Sequence, residues 1–454
     1  MKNLKATEDH FLGFDFSTQQ VKAVIVEASL NNVLHVFSVN FDSDLPEFKT
    51  QNGVHASPCG TVVTAPTLMW IKAYDILLSR MKDGGVAFDK IRAVSGAGQQ
   101  HGSVYWNRRA IDALKNLDSK QTLYDQLQVQ DAFSVEDSPI WMDSSTSVYC
   151  RKFEQAMGGA ERLVAKTGTR AYERFTGNQI AKIYHEQPDA YRDTERISLV
   201  SSFGCSLLIG CFGSIDISDG SGMNLLNIHN RNWDDECLKN CAPNLSPKLG
   251  NPVASNTVLA NIAPYYVKRY GFRTDCEVIA FTGDNPASMA GLCLKPGDIA
   301  ISLGTSDTVF VWLDSPKCSL HTMTLCNCVD ENAFMGMICF KNGSLTRERI
   351  RNGCGCATWE QFSELIQRTK PGNGGNIGFY FDYPEILPNV KPGNYRFNAN
   401  DDPVDKFDAI IEAGAVLESQ CLSKRLHLES MCGNVKCKRL LVTGGASVNN
   451  EILQ

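Results

Sequence analysis

One plan is written twice in this chain, and it narrows the fold more than any other feature. Near the start, Phe11–Phe16 and Val21–Val26 are short apolar runs joined by Ser17-Thr18-Gln19-Gln20. Far downstream, Ile299–Leu303 and Thr308–Trp312 flank Gly304-Thr305-Ser306-Asp307. Each reads as strand, tight polar turn and antiparallel strand, with small hydroxyl residues at the tip. A repeat at this distance predicts two similar halves. Between and beyond the hairpins, strands alternate with helices. Thr67–Lys82 has helical spacing, Ile91–Ser95 is a strand running into Gly96–Gly102, and Arg439–Val442 is a late strand before Thr443-Gly444-Gly445-Ala446. Val278–Phe281 is another, ending at Thr282-Gly283-Asp284-Asn285-Pro286, after which Ala287–Leu292 reads as a helix with Asn285 at its N-cap and Pro286 at its first position. This alternation predicts a layered α/β fold. The best linker candidates are Ala242–Asn256 and the turn Lys295–Asp298.

Composition removes several function classes. At 454 residues, with 43% hydrophobic and 21% charged residues, the chain is neither disordered, fibrous nor a coiled coil. A net charge of -6 with scattered Lys and Arg gives nucleic acid no basic face. The 17 cysteines form no paired C-x2-C set with matching partners, so free thiols in a reducing compartment are expected rather than zinc. MKNLKATEDH contains no apolar run, which predicts no secretory signal and a cytoplasmic protein. Ile197–Ile215 carries no charge over 19 residues, but eight of them are Ser or Gly, so it reads as a buried helix rather than a membrane span.

Several residues can carry chemistry. The tip Ser17-Thr18-Gln19 and the tip Gly304-Thr305-Ser306 present backbone N–H groups and hydroxyls that suit phosphate oxygens. Asp15, at a strand end, can reach a magnesium ion through water. Asp284 sits at the carboxyl end of an apolar strand, where it either takes a proton from a substrate hydroxyl or caps the following helix. Gln100 and His101 suit a polyol, and Arg174 suits a ligand or a surface ion pair. Trp141-Met142-Asp143 fits a sugar platform or a core Trp, and Gly444-Gly445-Ala446 lets a flat ring approach the backbone. Neither a Walker loop nor a Rossmann fingerprint occurs, since Gly96, Gly98 and Gly102 have the wrong spacing.

In this order, from about Phe11 to Gln454, the pieces resemble the FGGY carbohydrate kinases. Gly13–Gln19 and Ser302–Ser306 resemble the two phosphate motifs of that family, Gly283-Asp284-Asn285 its base motif, Asp219–Asn224 its D-x-S-x-A-S-like stretch, and Thr443–Ala446 with Asn449 its adenosine motif. Lys182-Ile183-Tyr184-His185 departs from the usual K-apolar-x-W. The resemblance implies a two-domain actin-like (ribonuclease H-like) α/β fold with a central cleft. Residues 11–290 would bind the sugar and residues 291–454 the nucleotide, the latter domain being incomplete because the chain stops at Gln454.

Within the family, Ser95–Gly102, Trp141–Thr146, Arg170–Gln179 and Phe281–Pro286 resemble the branch that phosphorylates D-xylulose with ATP and Mg2+. The sugar contacts implied are Gln100, His101, Arg174, Asp284 and Asn285, with Asp284 as catalytic base. The nucleotide contacts implied are Ser17, Thr18, Gln19, Gly304, Thr305, Ser306, Trp359, Gly444, Gly445, Ala446 and Asn449. Asp15 would anchor the metal through water. No nucleic acid, membrane or protein partner is implied. The alternatives are a kinase of another pentulose or polyol, and a catalytically silent sugar-binding form with part of the C-terminal sheet missing.

Overall fold

Alternation of buried and solvent-facing residues decides the first hairpin. Leu12, Phe14 and Phe16 point inward on one strand and Val21, Ala23 and Ile25 on the next, so a single apolar face results. The computed structural model describes residues 9–385, 390–433 and 437–454. The strands are His10–Phe16 and Gln20–Glu27, in a register that sets Phe16 opposite Val21, and Ser17 N–H donates to the Gln20 carbonyl across the turn (3.0 Å). The second hairpin is Asp298–Leu303 with Asp307–Leu313, Leu303 opposite Asp307.

The chain divides into two compact units. One runs to Ala290 and takes in Leu325–Glu331; the other is Gly291–Thr324 with Asn332–Gln454. Ala242–Asn256 lies inside the first and is not a linker; it carries the short helix Leu245–Leu249.

In the first unit the main sheet runs, in spatial order, Val258–Asn261, Glu277–Ile279, Ile91–Gly98, His10–Phe16, Gln20–Glu27, Val33–Asn40. Ile91–Gly98 is parallel to both His10–Phe16 and Glu277–Ile279, and the short strand Thr282–Gly283 extends that pairing opposite Ala97 and Gly98. This brings the carboxyl ends of three strands together, the end at which α/β sheets place chemistry. Helix Thr67–Asp83 buries Trp70, Tyr74 and Leu77 against the sheet, and Val200–Ile209 buries Phe203. Phe16 touches both Tyr74 (ring centroids 5.7 Å) and Phe203 (6.3 Å), so one aromatic cluster supports the hairpin just below its tip.

Two boundaries differ from the sequence expectation. The uncharged run is a strand to Leu199 and then a ten-residue helix, Val200–Ile209, rather than one long helix. Gly210, at φ +67, ends it. Among the described residues no helix is long and apolar enough to cross a membrane. The helix after Gly283 begins at Asp284 itself, so Asn285 lies within it and is not its N-cap.

In the second unit a five-stranded sheet runs Met323–Cys326, Phe334–Phe340, Asp307–Leu313, Asp298–Leu303, Arg439–Thr443. The last pair is parallel, as in the first unit, where the hairpin also has a parallel neighbour. Helices Ser344–Gly353, Trp359–Gln367 and Ala409–Cys432 pack with one another, and Ile350, Phe362, Tyr380 and Val416 share a core. All 17 cysteines are free thiols.

Candidate active site

The first unit gathers most of the sugar residues picked out from the sequence. Backbone and side chain of Gln100 face Asp284 and Asn285 together. Its N–H donates to Asp284 Oδ1 (3.3 Å), and its side-chain oxygen accepts from Asn285 Nδ2 (2.9 Å). Asn285 also donates to Asp284 Oδ1, from its backbone N–H (2.9 Å) and from Nδ2 (3.2 Å). Asp284 retains some exposure as a residue, yet its carboxyl is enclosed. That enclosure, reinforced by the negative charge of Asp15, pushes it up to about 7. A carboxylate at that value changes protonation near neutral pH, which suits a base.

His101 is 6% exposed, adopts φ +70 and packs with its ring tilted against Phe175, centroids 4.7 Å apart. Burial, with the Arg174 charge beside it, holds the imidazole well below its usual value, so it stays neutral. The Arg174 guanidinium lies over the rings of Tyr172 and Phe175, at 5.9 and 6.0 Å. Trp141 is 39% exposed and so is no core residue; its indole N–H donates to Thr18 Oγ1 (2.9 Å). Its neighbour Asp143 is buried and saturated. It accepts from Val63 N–H, Ser145 and Gln179, which fixes its carboxylate in place.

The tip of the first hairpin is turned inward. Ser17 Oγ donates to Asp15 Oδ2, and Thr18 Oγ1 donates to Gln99 Oε1 (3.4 Å). Gln19 is exposed at the same tip. Asp15 Oδ1 is buried and has no hydrogen-bond partner among the described residues. A bare carboxylate oxygen of this kind fits a hydrated magnesium ion, which takes one or two carboxylates and completes its shell with water and phosphate. Among the described residues no group of three or more His, Cys, Asp or Glu could hold a metal without such help.

Two carboxylates escaped the sequence reading as site residues. Asp219 lies behind Gln100. It accepts from Gln100 Nε2 (3.5 Å) and from Ser201 Oγ (2.6 Å). Burial, and then the neighbouring Asp216, hold it well above the carboxylate range. Asp216 caps the helix Ile217–Gly220 and is pushed up to about 6 by burial. Gly283 makes the packing possible, because a Cβ there would lie 2.5 Å from Gln100 Cγ and 2.6 Å from Asp219 Oδ1. The only sequence signal for Asp219 was its place in the Asp219–Asn224 stretch.

The second unit gathers most of the nucleotide residues. Gly304, Thr305, Trp359, Gly445, Ala446 and Asn449 line one cavity of about 1050 Å3. Ser306 is exposed at the hairpin tip and Gly444 lies just behind the lining; neither borders the cavity. Gly444 adopts φ +87, and a Cβ there would lie 2.5 Å from the Leu303 carbonyl oxygen, so only glycine lets the late strand turn this close to the hairpin. The Arg351 guanidinium covers Trp359 at 4.7 Å, and Asn449 is held by Ser363 Oγ (2.9 Å). An aromatic side chain, a glycine turn and a small-residue hairpin tip are groups that can receive a purine nucleotide with its phosphates.

Comparison with known proteins gives the family. The model of the N-terminal domain of the FGGY family of carbohydrate kinases matches residues 130–291, and that of the C-terminal domain matches residues 299–454. The chain belongs to the FGGY family of carbohydrate kinases. It is 53% identical over 444 residues to xylulose kinase of Rattus norvegicus, covering 98% of this chain and 82% of the relative. It is 46% identical over 457 residues to xylulose kinase 2 of Arabidopsis thaliana, covering 98% and 81%. The crystal structure of xylulose kinase from Rhodospirillum rubrum shares the fold, with a TM-score of 0.80, 14% identity and coverage of 98% and 83%. The two-domain mixed α/β fold is that of a sugar kinase, with ATP as phosphoryl donor.

Proposed function

We propose that this protein transfers the γ-phosphoryl group of ATP to O5 of D-xylulose, giving D-xylulose 5-phosphate and ADP. The observation that carries the mechanism is the constellation Gln100–Asp284–Asn285, with a carboxyl raised to about 7 beside Asp15. The names of the relatives, xylulose kinase in rat and Arabidopsis, support the choice of sugar.

Residues 11–290 form the sugar domain and 291–454 the nucleotide domain in this reading. Gln100, His101, Arg174 and Asn285 hold the sugar hydroxyls. A site built to pair with hydroxyls rejects an analogue that leaves those groups unpaired, at about 1–3 kcal/mol for each. The O5 proton passes to Asp284 as the O5–P bond forms and the bridging P–O bond to the β-phosphate breaks, with ADP leaving. A positioned base contributes about 10²–10⁴-fold. Trp359, Gly444, Gly445, Ala446 and Asn449 hold the adenosine, while Gly304, Thr305 and Ser306, with Ser17, Thr18 and Gln19, serve the phosphates. Asp15 would hold a magnesium ion through water, and the ion would supply charge neutralisation on those phosphates. Seventeen free thiols suit a reducing compartment, in keeping with a cytoplasmic enzyme.

The test is turnover of the purified protein in a coupled ADP-release assay with Mg2+ and a panel of D-xylulose, D-ribulose, L-ribulose and glycerol. D-xylulose giving the highest kcat/KM is expected. A higher value for another polyol would overturn the substrate assignment, and no turnover with any of them would overturn the activity.

A further inference from the structure

Behind the second hairpin lies a buried charge cluster that no step above uses. Asp307 is the first residue of the strand that follows the Gly304–Ser306 tip, and it is fully buried. Arg347, from the first turn of helix Ser344–Gly353, grips it with two hydrogen bonds, Nη1 to Oδ2 (2.8 Å) and Nη2 to Oδ1 (3.1 Å). Lys424, from helix Ala409–Cys432, reaches the same carboxylate at 2.7 Å. The side chains of Arg347 and Lys424 are 2% and 6% exposed. Gln420 joins the two helices to the cluster by accepting from Arg347 (2.7 Å) and donating to the Asn342 carbonyl (2.8 Å). The hairpin tip is tied to the same place, as Ser344 N–H donates to the Gly304 carbonyl (2.9 Å).

Two cations thus share the Asp307 carboxylate; the buried Glu385, which borders the same small cavity as Lys424, accepts from Lys341 N–H and from Asn342 Nδ2. Desolvating two cations on one carboxylate is costly, so a fold that keeps them together has a use for the charge they concentrate. The cavity beside the tip indicates that use. Arg347 is its only cationic lining residue among the described residues, whereas Glu348, Glu360, Glu364 and Glu451 all bring negative charge to it. Arg347 Nε is buried with no hydrogen-bond partner among the described residues. A polyphosphate entering such a cavity meets four carboxylates and needs a fixed positive field at the hairpin end. The N-terminus of helix Ser344–Gly353 adds to that field in the same place.

We propose that the Arg347–Asp307–Lys424 cluster seats the nucleotide phosphates, pinning the Gly304–Ser306 tip through Asp307 while its concentrated positive charge attracts the phosphate oxygens from beneath. Arg347 and Lys424 are positioning residues in this scheme, acting through the hairpin backbone. The inference rests on the reading of that tip as a phosphate site.

The experiment is titration calorimetry of the full chain with ATP, ADP and adenosine, for the wild type and for Lys424→Met, Lys424→Gln and Lys424→Arg. Lys424→Met removes one of the two positive charges but leaves the Arg347–Asp307 pair intact. It is expected to raise the Kd for ATP about tenfold, to leave adenosine unchanged, and to be rescued by Lys424→Arg. Lys424→Gln keeps a donor toward Asp307 and answers the same question should the Met variant not fold. Equal weakening of ATP and adenosine, or unchanged ATP binding in the neutral variants, overturns the proposal while leaving the phosphate tip in place. Wild-type protein that binds adenosine as tightly as ATP would instead remove the tip reading itself.

Discussion

Each of the two hairpins carries an aspartate, and the two are treated in opposite ways. Asp15 stands just before the first tip with one oxygen bare. Asp307 stands just after the second tip with both oxygens bound by buried cations. The surroundings follow the same division. In the first unit Asp284, Asp219 and Asp216 are all held above the usual carboxylate range, chiefly by burial. In the second unit Arg347 and Lys424 outnumber the one acid between them. A strand–turn–strand plan is therefore only a frame. The character of each copy is set by what the rest of its unit places behind the tip, acids raised by burial in one and buried cations in the other.

The largest expected effect tests the acidic side. Asp284→Asn keeps the acceptor oxygen used by Gln100 and Asn285 but cannot take a proton, so kcat should fall by about 10²–10⁴-fold with only a modest change in sugar affinity. The same variant should be more stable at pH 8. The folded carboxyl sits at about 7, above the ordinary value of about 4 of an unfolded Asp. Between those values the folded chain binds more protons than the unfolded one, and stability falls as pH rises through the window. Removing the charge removes that penalty, so Tm at pH 8 should rise by a few degrees. Near-normal kcat, or a lower Tm at pH 8 alone, would contradict the assignment.

A crossed pair separates the two units next. His101→Ala should raise KM for the sugar about tenfold and leave KM for ATP unchanged, while Trp359→Ala should do the reverse by a similar factor. Equal effects of either variant on both substrates would erase the division. The smallest shift concerns the charge of Asp15, read beside the fall in kcat expected from loss of the magnesium anchor. Its removal in Asp15→Asn takes away the second cause of the raised Asp284 value, so the acid limb of the kcat/KM profile should move to lower pH by about one unit. A limb that stays in place would mean that Asp15 and Asp284 do not feel one another.

Much of this was legible in the residue order. Both hairpins, the helix at Thr67–Asp83 and the strand entering Gly96–Gly98 follow from period and turn chemistry alone. The Gln100–Asp284–Asn285 grouping followed from a family resemblance carried by short motifs. Asp219 was visible only as part of such a motif, because its role lies in Gln100 Nε2 and Ser201 Oγ, which come from distant segments. Arg347 and Lys424 gave no signal. Each reads as an ordinary charged residue in its helix, and nothing local says that its charge is buried.

What the sequence determined by itself is the local grammar, since strand period, turn residues and glycine positions depend on neighbours a few residues away. What only the tertiary structure decided is the electrostatics. The proton affinity of Asp284 and the partners of Asp307 depend on which distant groups enclose them. Desolvation and Coulomb energy are set by three-dimensional distance and by exclusion of water, and neither is encoded in adjacency along the chain.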